Sequence, residues 1–86
     1  MAMPWDVTEV KVQNDAALWV RFHDGLQGQV IFLPSAFRGV FARLSQPAAL
    51  RQARLQDGVL TWPGELDLAP DAMHQAIAQH GQWVLD

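Results

Sequence analysis

The sequence predicts an α+β domain: a three-stranded antiparallel meander, a helix, a β-hairpin and a C-terminal helix (β-β-β-α-β-β-α), with the helices packed on one sheet face. Three observations predict it. Apolar and polar residues alternate at period two through Leu18–Phe22. Asp24-Gly25 and Asp57-Gly58 sit between strand-like segments, where tight hairpins need positive φ. Two stretches, one around Phe37 and one from Pro70, space their apolar residues as a helix does.

The elements follow in order. Val10 and Val12 share one face of a first strand over Asp6–Gln13, and Asn14-Asp15 marks a turn. Leu18, Val20 and Phe22 then alternate with Trp19, Arg21 and His23. His23 to Leu26 turns the chain, which returns as a third strand over Gln27–Leu33 with Gly28, Val30 and Phe32 on one face. Pro34-Ser35 breaks the sheet and can cap a helix. Phe37, Val40, Phe41 and Leu44 form an apolar stripe about 100° wide, suited to lie on the sheet. Gly39 weakens that helix by up to ~1 kcal/mol, so a short or partly 3₁₀ element also fits. Leu50–Gln56 and Val59–Trp62 flank Asp57-Gly58 as a second hairpin, and Pro63-Gly64 stops it. Thr61 to Asp71 then reads as a strand end, an acidic loop and a helix start at Pro70, where a missing N–H costs nothing. Met73, Ala76, Ile77 and His80 form the inner stripe of the last helix, Gly81 suits its end, and Trp83 anchors a short apolar tail over Gln82–Asp86.

Composition narrows the function. Eighty-six residues make one domain, 1–86. A chain of this size buries only roughly 60–65% of its unfolded surface, so four Trp and four Phe must carry much of the core. The absence of Cys excludes disulfides, thiolate zinc sites and Cys nucleophiles, and suits a reducing cytoplasm. No basic-then-apolar leader opens the sequence, and no apolar run nears the ~20 residues that span a bilayer. The expectation is a cytoplasmic protein without a membrane partner.

The net charge of −3 is unevenly spread. Residues 1–24 carry two bases and four acids, residues 25–56 carry Arg38, Arg43, Arg51 and Arg54 with no acid, and residues 57–86 carry Asp57, Glu65, Asp67, Asp71 and Asp86 with no base. Either the middle and end segments pair within the fold, or opposite faces meet partners or one another in a homo-oligomer. Nucleic acid is disfavoured: the chain is acidic, has no Lys cluster and shows no recognition-helix signature.

Four segments together resemble the domain-of-unknown-function 2442 family: Trp5-Asp6-Val7, the Val20–Gly25 hairpin, the Phe37…Gly39-Val40-Phe41…Leu44 helix, and Trp62-Pro63-Gly64-Glu65-Leu66-Asp67-Leu68-Ala69-Pro70-Asp71. The last block is the most specific. The resemblance covers nearly the whole chain and implies a small bacterial α+β domain without an assigned activity. Some relatives carry a helix-turn-helix domain after this one, which the present chain is too short to hold. Some lie beside small toxin-like proteins, which implies antitoxin-like or regulatory binding. Position 74 holds His where many relatives have Tyr.

Three candidate sites remain. Glu65, Asp67 and Asp71 with His74 could ligate a hard cation or a small ligand, or do acid–base work. Asp71 and His74 lie about 60° apart on the wheel, opposite Met73 and Ile77 and towards solvent. The simpler reading has Asp71 stabilise the helix N-terminus and Asp67 close a turn. His80 suits a helix end, and His23 sits on the hairpin. Trp19, Arg21 and Ile31 share the meander face opposite Leu18, Val20 and Val30. They form an interface for a protein partner or a second copy unless a loop or the Trp83 tail covers them. No Ser-His-Asp order, HExxH or phosphate-cradling glycine loop occurs, so no catalytic residue, metal or cofactor is assigned. The expectation is a non-enzymatic interaction module, with a small-ligand or metal-binding domain on Glu65–Asp71 as the alternative.

Overall fold

The computed structural model describes residues 2–86; residue 1 of the predicted domain lies outside the described residues. Strands β1 (Val7–Asn14), β2 (Ala17–Phe22) and β3 (Gln27–Phe32) form the predicted antiparallel meander. Two 3₁₀ segments, Pro34–Ala36 and Gly39–Ser45, lead into a one-turn helix α1 (Pro47–Leu50). A second meander follows, β4 (Arg54–Gln56), β5 (Val59–Trp62) and β6 (Leu66–Leu68), then helix α2 (Pro70–His80) and strand β7 (Gln82–Leu85). The result is a small α+β fold with a four-stranded sheet ordered β1-β2-β3-β7 and a three-stranded sheet β4-β5-β6.

Several expectations are corrected. The single helix expected over Phe37–Leu44 is broken: Arg38 is extended and Gly39 takes φ +59°, so the chain continues as 3₁₀. Leu44 is buried, but Val40 is 70% exposed and does not lie on the sheet. Leu50 belongs to α1, not to a strand. The acidic loop contains a strand, because Leu66 and Leu68 alternate with Asp67 and bury their side chains while Asp67 faces out. The apolar tail is also a strand, paired parallel to β3. His80 is exposed and not on the inner stripe.

The core explains why these elements meet. Val7, Leu18, Val20, Phe22, Val30 and Phe32 bury one face of the four-stranded sheet. Met73 and Ile77 of α2 pack with them, as do Leu44, Leu50, Leu60, Trp62, Leu66 and Leu68. Helix α2 approaches β3 so closely that a Cβ on Gly28 would stand 2.6 Å from Ile77 Cγ2 and 2.7 Å from the Gly81 carbonyl oxygen. The β4–β5 turn uses Asp57 and Gly58 at φ +52° and +81°, the paired left-handed geometry of a two-residue hairpin. Its Gly58 carbonyl accepts the Val7 N–H at 2.8 Å, tying the second sheet to the start of the first.

Candidate functional site

The outer face of the four-stranded sheet is built by alternation. Along β2, Leu18, Val20 and Phe22 point into the core, so Trp19 and Arg21 point away. The register then sets their neighbours: Lys11 of β1 and Gln29 of β3 lie opposite Trp19, and Glu9 and Gln27 lie opposite Arg21. Ile31 follows two residues after Gln29 on the same face, with Val84 of β7 beside it. The tail therefore does not cover this face. It widens the sheet by one strand, and Trp83, opposite Val30, points to the core side.

Trp19, Arg21 and Ile31 thus share the outer face, which β7 widens without covering. The Trp19 ring is half-buried between two cations, Lys11 Nζ at 5.3 Å and Arg21 Cζ at 5.1 Å from the ring centroid. Glu9 holds both cations from β1, at 3.0 Å to Arg21 Nη1 and 3.6 Å to Lys11 Nζ. Gln29 Nε2 donates to Gln13 Oε1 at 2.8 Å, spanning from β3 to β1. Each contact is worth at most about 1 kcal/mol at an exposed site. Together they hold a large aromatic and an Arg in fixed conformations, which lowers the ordering cost of a contact made there. Reasoning on one strand at a time missed Glu9 and Lys11; pairing the two strands across the Asn14-Asp15 turn would have placed Lys11 beside Trp19.

The Trp62–Asp71 block is arranged differently. Trp62 is buried, and its Nε1–H donates to the Leu50 carbonyl at 3.0 Å. Pro63 accepts a hydrogen bond from Arg43 Nη2 over Gly64. Glu65 and Asp67 line an open groove against Gly39–Arg43, whereas Asp71 lies in the exposed first turn of α2, begun by Pro70. His74 is drawn elsewhere: its Nε2 lies 2.7 Å from Asp24 Oδ2, and its ring meets Phe22 edge-on at 4.9 Å. So His74 is not turned fully to solvent, and Glu65, Asp67, Asp71 and His74 do not form one set. Among the described residues, no three His, Asp or Glu side chains converge as a cation-binding group.

Asp24, which meets His74, also accepts a hydrogen bond from its own turn. The Leu26 N–H bond and then His74 hold its carboxyl below the ordinary value of 3.8. The expected pairing between the basic middle and the acidic end is not observed among the described residues. Arg51 instead meets Asp15 at 3.6 Å, and Arg43 meets a carbonyl. No helix among the described residues is long and apolar enough to cross a membrane.

Comparison with known proteins adds one finding. The sequence model of a family described as "Protein of unknown function (DUF2442)" matches residues 7–78. No curated protein and no solved structure matches the chain.

Proposed function

Because the chain belongs to the DUF2442 family, whose description carries no reaction, we propose from its own surface that it is a non-enzymatic interaction module, antitoxin-like or regulatory, that binds a protein partner. The observation that carries this reading is the uncovered sheet face on which Glu9, Lys11 and Arg21 hold Trp19 in place. Trp and Arg are the residues most enriched where truncation costs binding energy, and such anchors sit at the centre of an interface. Ile31 and Val84 extend the face with apolar area, and Gln27, Gln29 and Gln82 supply amides for a polar rim. The antitoxin-like form of the proposal draws on the resemblance, which places toxin-like proteins beside some relatives.

The experiment mixes the purified protein with the products of its neighbouring genes and reads complex formation by calorimetry. The expected result is a complex that weakens at least tenfold on Trp19→Ala or Arg21→Ala and is unchanged by Glu65→Gln. A complex indifferent to Trp19 would move the interface elsewhere. No complex with any neighbour's product would end the antitoxin-like reading.

A further inference from the structure

The four-stranded sheet has two edges, and they are protected unequally. Strand β1 has a register shift at each end, between Val7 and Glu9 and between Val12 and Asn14, and it presents Glu9 and Lys11. Its first residue is held by the β4–β5 turn through the Gly58 carbonyl. Bulges and charges of this kind deter strand addition. Strand β7 has neither: Gln82–Leu85 runs in unbroken register with β3 and holds no charged residue and no Pro. Its outer edge leaves backbone N–H and C=O groups without a strand partner among the described residues.

The surroundings of that edge are apolar or uncharged in both layers. On the outer face, Val84 and the adjoining Leu33 are 42% and 40% exposed beside Ile31. On the inner side, a groove between α2 and Trp83 is lined by Ala72, Gln75, Ala76, Gln79 and His80, with no carboxylate. Two identical copies of a chain carrying −3 repel one another. A two-fold contact also sets each group near its own equivalent, so the contact must fall where the surface lacks charge. Strand β7 meets that condition over Gln82–Leu85, with the acid Asp86 just beyond it.

We propose that the chain forms a two-fold dimer in which β7 pairs antiparallel with β7 of a second copy, Val84 opposite Val84, joining two four-stranded sheets into one of eight strands. The register follows from the pleat: pairing must keep Trp83 and Leu85 on the core side in both copies, so outer residues meet outer residues. With Val84 on the axis, Trp83 faces Leu85 of the second copy, and Gln82 faces Asp86 of the second copy, amide to carboxylate. The apolar row Ala17–Ile31–Val84 then runs on into its equivalent. This dimer pairs the β7 edge and shares Val84 and Gln82, but not the Trp19 anchor, with the partner face, so Trp19→Ala separates the two readings.

The test exploits the absence of Cys. Facing residues in an antiparallel pair have Cα atoms about 4.5–5.5 Å apart, within the 4.4–6.8 Å that a disulfide closes. The wild-type chain is expected to scatter light as a dimer of about 19 kDa, twice 9.6 kDa. Val84→Cys should cross-link under mild oxidant far faster than Lys11→Cys on the opposite edge. Val84→Asp should give a folded monomer by light scattering and circular dichroism. A wild-type monomer at submillimolar concentration would overturn the proposal, and so would equal cross-linking at the two positions. A dimer that survives Val84→Asp would overturn it too; its loss on Trp19→Ala would then place the contact on the open face. If Val84→Asp misfolds, a monomeric wild type still overturns the proposal, and for a dimer the cross-linking rates at positions 84 and 11 decide the edge.

Discussion

Trp62 and Trp19 both lie in antiparallel strands, and the fold uses them in opposite ways. Trp62 is 2% exposed, meets Phe32 edge-on at 6.3 Å, and spends its indole N–H on the Leu50 carbonyl. Trp19 is half-buried, and its ring is flanked by the side chains of Lys11 and Arg21. One tryptophan closes the junction between the second sheet and α1; the other is fixed at the surface. Motif prominence is therefore a poor guide to the surface here: Trp62, in the most distinctive block of the sequence, is buried, and Trp19, in an ordinary alternating strand, is held at the surface.

Replacing each side chain in turn should separate the two regions. Trp62→Ala is expected to cost about 3–5 kcal/mol, read from urea unfolding, because it leaves a cavity and an unpaired Leu50 carbonyl. Gly28→Ala should cost about 1–3 kcal/mol, since the new methyl meets the Gly81 carbonyl, a backbone atom that cannot yield without moving α2. Trp19→Ala should cost no more than about 1 kcal/mol of stability while carrying most of the loss in partner binding. A large stability loss at Trp19 would erase the contrast between the two residues.

The smallest effect concerns Asp24 and is one of pH. Because folding lowers the Asp24 carboxyl, its contribution is present above the unfolded value of 3.8 and is lost as pH falls through the lower folded value. The thermal midpoint of the wild type should therefore exceed that of Asp24→Asn at neutral pH and converge with it in acid. A constant difference between the two down to acid pH would show that the Asp24 charge, held by the Leu26 N–H and then by His74, is not responsible.

What the sequence discloses is what neighbours along the chain determine. Asp24-Gly25 and Asp57-Gly58 mark their hairpins, period two separates Leu18, Val20 and Phe22 from Trp19 and Arg21, and Pro70 and Gly81 bracket α2. What it conceals depends on distant partners. Leu66-Asp67-Leu68 is too short to announce a strand, and only β5 gives it a ladder. Residues 82–85 read as a tail because their partner, β3, lies far back in the chain. His74 finds Asp24 across 50 positions, which no helical wheel can show. The weak point at Gly39 is legible in the sequence, but the exposure of Val40 follows from the backbone turn itself.

The parallel β3–β7 pair has a consequence in time. Gln29 and Gln82 face each other across 53 sequence positions. Local hairpins close in microseconds, whereas this pairing must wait for the intervening chain to be made and α2 to be seated. At about 5–20 residues per second, the ribosome needs roughly 3–10 s between those two residues. During that interval the nascent meander shows β3 as a bare edge, with Val30 and Phe32 incompletely covered. Chaperone capture or aggregation during synthesis would therefore concentrate at β3, an edge that the finished sheet conceals.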